Sequence, residues 1–438
     1  MVGTQQKSER NREEDHSTKE HQSITSHVKE KPVTASSSAQ SAADEDEMVS
    51  SSTRDEVPKF VEYLLVGAGT AAYYASLAIR ARHADGRVLM ADVYRKLAPD
   101  EKKAYLDDGT CISYDKCLIA TGGKPKVLPE LESVPESVKG RILYVRGVDD
   151  YRKLEDLCKS SKSIAIVGGG FLGSELAYSI QRKYKNVKVT QIVAEGGLLS
   201  GILPEFLSKK ASEALREAGV DVITNAKITA AREKDANIEV EVNGSDNIAS
   251  DCVIVAVGIQ PDTLVAEASG LEIDSRSGGI STDAELRVRS DIWAAGDAAS
   301  FYDKTLGRRR IEHWDNAQIS GRLAGENMTG ARKAFWYQPA FFSKIAPQWH
   351  INGVGITESS LPTVSVFAQD NNDNESCQRG VVFYKGDQGK IVGVLLLNVF
   401  GSAIDVARRL IDEARSVEDF RQLAKLFPLY KTETEEQT

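Results

Sequence analysis

Cysteine is scarce in this chain: five in 438 residues, at positions 111, 117, 158, 252 and 377. The set is odd in number, scattered and without a CxxC pair, which excludes a disulfide-stapled scaffold and leaves free thiols as the expectation. The cysteines offer no close ligand pair, and no metal site is expected. Long apolar runs are missing too. Ile391–Phe400 is only strand length, and no transmembrane segment is expected. Residues 1–59 contain no Phe, Trp or Tyr and are dominated by Ser, Thr, Glu, Gln and Lys. Such a stretch cannot bury enough apolar surface to offset its ordering entropy, so it reads as a disordered acidic tail. About half of the net charge of −9 sits there, leaving residues 60 onward mildly acidic. A strongly basic nucleic-acid-binding body gains no support, although a local basic face stays compatible. The start, Met1 to Lys7, lacks the apolar core of a signal peptide, and the acids that follow are unlike a transit peptide, so by itself it reads as cytosolic.

Glycine, by contrast, is placed with purpose. Tyr63-Leu64-Leu65-Val66-Gly67-Ala68-Gly69-Thr70-Ala71-Ala72 and Ile164-Ala165-Ile166-Val167-Gly168-Gly169-Gly170-Phe171-Leu172-Gly173-Ser174-Glu175 each read as a buried parallel strand, a tight turn and a helix start. That is how a Rossmann unit holds a dinucleotide pyrophosphate. Glycine meets the backbone angles of the turn and lets phosphate approach the helix N-terminus. One such turn is a weak signal, since ordinary strand–helix turns share it. Two in one chain point to two dinucleotides, a flavin and a nicotinamide being the common pair. The missing close dithiol argues against a flavoprotein disulfide reductase.

The first unit continues through strand-like Arg87–Ala91 to Asp92, which lies 25 residues after Gly67, close to the place of a ribose-binding acid. Residues 104–114 alternate around Asp108-Gly109 as a hairpin, and Cys117–Gly123 reads as a further buried strand ending in a glycine turn. In the second unit Glu195 lies 27 residues after Gly168, again at ribose-acid spacing. Beyond about 340, the strand-like runs 364–368, 380–384 and 390–399, the polar loop 369–378 and two terminal helix-like stretches suggest a separate α+β domain.

In this order, with Ala120-Thr121-Gly122-Gly123 and Trp293-Ala294-Ala295-Gly296-Asp297 as further landmarks, the chain resembles glutathione-reductase-like and ferredoxin-reductase-like flavoproteins. The implied fold class is α/β, a two-dinucleotide-binding flavoprotein of paired Rossmann-type domains with a C-terminal α+β domain. The implied division is tail 1–59, FAD-binding 60–123 and 261–339, NAD-binding 124–260, and C-terminal 340–438. Gly168–Ala177, Ile202–Glu205, Gly296–Ala299, Leu306–Arg310, Ser320–Gly330 and Ser359–Val364 narrow the match. They resemble the apoptosis-inducing-factor family, mitochondrial FAD-dependent NADH oxidoreductases.

That resemblance implies that Gly67, Ala68, Gly69, Thr70 and Ala71 line the FAD pyrophosphate. It implies that Arg146 reaches back to the flavin cofactor and that Asp297 binds the ribityl chain. Gly169, Gly170, Phe171 and Leu172 match the NADH turn, and Glu195 its ribose acid. Glu175, Phe171 and His313 form the implied catalytic set, as a buried glutamate, an aromatic lid and a histidine near the ring. Gly258, Glu312, Trp314, Phe342 and Asn398 fall at other cofactor-contact positions. The implied chemistry is hydride transfer from NADH to flavin N5. The implied partners are NADH, a second copy on reduction, an intermembrane-space import oxidoreductase, and DNA through Arg308–Arg310. The implied setting is the mitochondrial intermembrane space, with cytosol and nucleus on death signalling. Caspase-independent cell death and respiratory-chain maintenance are the implied roles.

The chain departs from that family in one large respect. Only 54 residues separate Gly67 from Thr121. Family members carry a long excursion after the second strand, including a lysine that pairs with the glutamate matching Glu175. Here Arg87–Met90 runs straight into Ala91–Tyr94. This reads as a splice form or an incomplete gene model with weak FAD binding, and with a Glu175 that lacks its cation and tends to neutrality. Smaller departures are Phe342 for a tryptophan, Asn352 for a glutamate, and Trp314 and Asn316 in a histidine-rich stretch. Asp92 stays open between a ribose acid, by position, and a structural residue, by alignment beyond the gap. A lone His313 is ordinarily structural, and Arg308–Arg310 ordinarily a solvated turn. The alternative to the enzyme is a non-catalytic pro-death or import-scaffold protein; a ferredoxin- or monodehydroascorbate-reductase relative is a weaker third reading.

Overall fold

A computed structural model of the chain describes residues 57–429 except 93, 133, 236, 369–378 and 415. The expected disordered tail, but for 57–59, and the polar loop 369–378 lie outside the described residues.

The first glycine turn belongs to a sheet whose strands run in the order Arg287–Arg289, Ile292–Ala294, Cys111–Ile119, Phe60–Val66, Val88–Ala91, with the last four parallel. The expected hairpin arm and the expected buried strand after it are one strand, Cys111–Ile119. Its first residues pair antiparallel with Lys103–Leu106, while most of its length runs parallel to Phe60–Val66. One strand satisfies both partners because its two backbone edges face different neighbours.

Two helices cover one face of this sheet, Thr70–Arg82 after the first turn and Trp314–Met328. They approach closely because Gly321 and Gly325 face Ala71 and Ala75. A Cβ at Gly321 would lie 2.2 Å from the Ala71 carbonyl oxygen, and one at Gly325 2.4 Å from that of Ala75. The opposite face carries Tyr94, Leu97, Ala104, Ile112 and Tyr114.

The second turn lies in an all-parallel sheet ordered Asp221–Ile223, Lys188–Ile192, Ser163–Val167, Cys252–Val255, Ile142–Tyr144. Its central strands Ser163–Val167 and Cys252–Val255 are nearly continuous apolar runs, as expected of a sheet buried on both faces. A two-stranded ribbon, Gly123–Pro125 against Ile259–Pro261, joins the two sheets, and the expected domain boundaries at 123/124 and 260/261 both fall on it.

The last sheet is antiparallel, in the order Ala340–Ala346, Trp349–Gly355, Ile391–Leu397, Gly380–Lys385, Thr363–Phe367. Its first two strands are additional to those expected from the sequence. Ile345, Ile351, Val382 and Leu395 pack towards Leu176 and Leu207 of the nicotinamide-side helices, and Val354, Val381 and Val394 pack towards the helix Ala403–Asp412. This sheet therefore brings Phe341–Lys344 beside the helix of the second turn. Among the described residues no helix is long and apolar enough to cross a membrane.

Candidate functional site

The two turns are built alike. Gly67 has φ +114° and Gly168 φ +118°, a left-handed region that glycine enters without penalty. A Cβ at Gly67 would sit 2.2 Å from the Ala120 carbonyl oxygen, and one at Gly168 2.3 Å from that of Ala256. Over Gly69 and Gly170, by contrast, a Cβ would meet nothing within 4 Å. Each of these two glycines opens a 13-residue helix whose start carries no side-chain cap. Both helices thus present unpaired N–H groups and the positive end of their dipole to open space, which suits a pyrophosphate.

Asp92 follows the strand Val88–Ala91, and its carboxylate accepts the Ala68 N–H at 2.7 Å. That sets an exposed acid against the first turn, where a Rossmann acid reaches a ribose. The contact places Asp92 at the first turn, where it also ties the turn to the strand before it.

The second turn borders a cavity of about 400 Å³ lined by Gly168, Gly169, Gly170, Phe171, Glu195 and Gly258 among others. Glu195 stands exposed just beyond the strand Lys188–Ile192, and Gly258 just beyond Cys252–Val255, the carboxyl ends at which open α/β sheets bind ligands. Leu172 packs against the core of this domain and is absent from the cavity lining. Phe171 leans on Phe341, ring centroids 5.2 Å apart.

A third group lies where the flavin-side sheet, the nicotinamide-side helix and the C-terminal sheet meet. Asp297 sits in a short turn pinned by Ser320, whose hydroxyl accepts the Gly296 N–H at 3.0 Å. Its carboxylate pairs with Arg146 at 3.1 Å. Arg310 donates to the Asp297 backbone carbonyl at 3.3 Å and pairs with Glu312, so Arg146, Asp297, Arg310 and Glu312 form one hydrogen-bonded chain that holds two ion pairs. His313 precedes the helix Trp314–Met328, and burial holds its imidazole below the usual histidine pKa. Its Nε2 accepts the Phe342 N–H at 3.4 Å, while Nδ1 is buried without a partner, as is Oδ1 of Asn316. Orphaned polar atoms beside an uncapped 15-residue helix fit a heterocycle rich in carbonyl and N–H groups. The residues present therefore fit a flavin here and a nicotinamide dinucleotide at the second turn.

Glu175 lies on the second-turn helix and accepts the Ser343 hydroxyl at 2.5 Å. Burial pushes its carboxyl pKa up, opposed by the Ser343 hydroxyl and the Lys344 backbone. Among the described residues it has no ion-pair partner. With Phe342 and His350 it lines a second cavity of about 520 Å³. Phe342 is exposed and meets His313 edge-on at 4.9 Å. Trp314 is exposed and meets Tyr74 edge-on at 6.4 Å. Asn398 has φ +54° and its side-chain oxygen accepts the His350 N–H at 3.0 Å, a tie between two strand ends; it lines neither cavity.

The arginine triplet is neither a solvated turn nor a free basic loop. Arg308 donates to the Thr282 and Ser300 carbonyls, buried Arg309 to Asp303, Gln338 and the Gly355 carbonyl, and Arg310 as described. Ser343 and the fully buried Gln191 are site neighbours that periodicity gives no means of finding, since Gln191 lies in a strand that also holds Lys188 and Thr190.

Comparison with known proteins agrees with this geometry. The family model for pyridine nucleotide-disulphide oxidoreductases matches residues 93–321, and that for the C-terminal part of mitochondrion-associated apoptosis-inducing factor matches 324–378. The chain belongs to the pyridine nucleotide-disulphide oxidoreductase family, in its apoptosis-inducing-factor branch. The putative mitochondrial apoptosis-inducing factor 1 of Drosophila melanogaster is 34% identical over 493 residues, covering 86% of this chain and 66% of the relative. Mitochondrial apoptosis-inducing factor 1 of Dictyostelium discoideum is 41% identical over 334 residues, covering 74% and 62%. The chain thus spans just under two thirds of these relatives' length. The Drosophila match runs over more residues than this chain contributes to it, so that relative holds segments absent here. The family match begins at residue 93, directly after Asp92, and leaves the first turn outside it. Among solved structures, a water-forming NADH oxidase from Lactobacillus brevis bound to NADH superposes with TM-score 0.71 at 20% identity, covering 85% of this chain and 94% of that one. The family and its structural neighbours bind FAD and NAD(H).

Proposed function

We propose that this chain is an NAD(P)H–flavin oxidoreductase that takes NADH at the second turn and holds FAD across the first. The observation that carries the reading is the pair of like-built turns, each with an open glycine and an uncapped helix start on its ligand side. FAD when bound supplies the two-electron acceptor for a hydride from the nicotinamide. The N–H groups of Gly69, Thr70 and Ala71 bind one pyrophosphate, with Gly67 and Ala68 lining the turn, and those of Gly169 and Gly170 bind the other. Asp92 and Glu195 accept ribose hydroxyls, and Asp297, with Arg146, holds the polyol chain. Phe171 excludes water beside the nicotinamide end of its cavity. His313, neutral near pH 7, offers a polar edge to the ring. Glu175, its carboxyl pKa raised by burial, stands ready to take up a proton, and the hydroxyl that Ser343 donates to it fixes its direction.

The setting follows from the family. The relatives' names support a mitochondrial location and a part in apoptosis, with respiratory-chain maintenance, cytosolic and nuclear relocation, pairing on reduction and an import oxidoreductase as finer parts of the same reading. DNA contact through Arg308–Arg310 is not carried forward, because their guanidinium groups are engaged within the fold. A second reading, a non-catalytic scaffold, rests on Glu175 having a hydroxyl where a cation is expected. The visible spectrum of the purified chain with added FAD separates them. Flavin bands that bleach with NADH are expected; a folded, colourless protein unable to take up FAD would overturn the enzyme and favour the scaffold.

A further inference from the structure

We propose that Gln191 is a positioning residue that aims the anion-binding N–H groups of the second glycine turn, an inference that rests on the dinucleotide reading of that turn. Gln191 is fully buried in the middle of a parallel sheet, between Ile166 and Val222 on the neighbouring strands. A leucine there would pack without an amide to satisfy, so the amide needs a reason. Its Nε2 donates to the Gly168 carbonyl at 2.8 Å and to the hydroxyl of Ser174, also fully buried, at 3.3 Å. The Gly168 carbonyl can only accept, which fixes which end of the amide faces it.

That carbonyl points inward, away from the sheet ladder. A Cβ at Gly173 would lie 2.3 Å from it, so glycine at 173 makes the room it occupies. A trans peptide is planar, with its C=O and N–H opposed. Holding the Gly168 oxygen inward therefore turns the Gly169 N–H outward, to the open side of the turn. The next peptide is held in the same way, since the Gly169 carbonyl accepts the Leu199 N–H at 2.8 Å. The outward N–H groups of Gly169 and Gly170 have no partner among the described residues and border the cavity. Gln191 and Leu199 thus lock two adjacent peptides so that both donors aim at one place, as pyrophosphate recognition requires.

The first turn provides an internal contrast. Gly67 donates to the Ala91 carbonyl as Gly168 donates to that of Ile192, so the position equivalent to Gln191 is Met90. Met90 has no donor, and the Ala68 N–H, equivalent to that of Gly169, is taken by Asp92. The clamp belongs to the nicotinamide side alone.

The test compares ADP-ribose, which carries the pyrophosphate, with adenosine, which does not, by calorimetry and ligand-observed NMR on the full chain. Gln191→Met keeps the length and approximate volume but removes the donor; Gln191→Leu removes it with a second apolar shape. In variants that still melt cooperatively, ADP-ribose binding is expected to weaken about tenfold, the scale of one net hydrogen bond, while adenosine binding is unchanged. Equal weakening of both ligands would mean a loosened pocket and overturn the proposal, as would wild-type affinity for ADP-ribose in either folded variant. If wild type binds neither ligand, the dinucleotide reading itself fails, and the inference with it.

Discussion

The guanidinium of Arg146, just past the strand Ile142–Tyr144 of the nicotinamide-side sheet, meets the carboxylate of Asp297 on the flavin side at 3.1 Å. Arg146 is about half exposed, so the pair contributes little to stability. Its value is positional. Arg146→Ala is expected to shift the melting temperature by no more than a degree or two while weakening FAD about tenfold, as read by flavin fluorescence quenching. Unchanged FAD affinity would confine the pair to joining domains.

Asp92 allows a sharper test. Its carboxylate lies against the first turn at the Ala68 N–H. As a ribose acceptor it assists FAD, and Asp92→Ala should lower FAD affinity about tenfold with little change in melting, because the residue is exposed. A rise in affinity would instead mean that the carboxylate competes with the cofactor.

Glycines 69 and 170 separate function from folding. Both have negative φ, and a Cβ on either would meet nothing within 4 Å. Gly69→Ala and Gly170→Ala should melt like wild type, yet each should obstruct its own phosphate site. Equilibrium titration should show loss of FAD in the first and of NADH in the second. Loss of both in either variant would contradict independent sites.

The carboxyl of Glu175 titrates above its ordinary value of 4.5 because it is buried. The folded chain therefore holds this proton more tightly than the unfolded chain does. Its contribution is fully present below about pH 4.5, and it is lost as pH rises through the raised value. Glu175→Gln should melt with wild type near pH 4 and become the more stable protein towards pH 7. Melting curves that stay parallel across that range would show that Glu175 does not titrate there.

Gly321 tests the helix contact that carries His313. A Cβ there would lie 2.2 Å from a backbone oxygen, which cannot rotate away. Gly321→Ala should cost about 1–3 kcal/mol by denaturant unfolding and weaken FAD as the helix Trp314–Met328 lifts. A neutral result would show that the two helices separate freely.

Much of the site was legible because its chemistry is local. A glycine turn between a buried strand and a helix is a contiguous pattern, and ribose acids stand at fixed spacing from it. The Arg308–Arg310 cluster was misleading because charge in a sequence says nothing of partners. Buried Arg309 meets Gly355, 46 positions away. The strands Ala340–Ala346, at the edge of its sheet, and Trp349–Gly355, beside it, escaped because their polar and apolar residues alternate imperfectly.

By itself the sequence determined two glycine turns, their order, a C-terminal α+β region and the short spacing from Gly67 to Thr121, since each rests on backbone conformation or spacing along the chain. Only the tertiary structure decided that Asp92 reaches the first turn, that Ser343 stands beside Glu175 and that Gln191 holds the second turn. Those contacts join residues brought together by sheet register and helix packing, and a hydrogen bond depends on distances in space that separation along the chain does not encode.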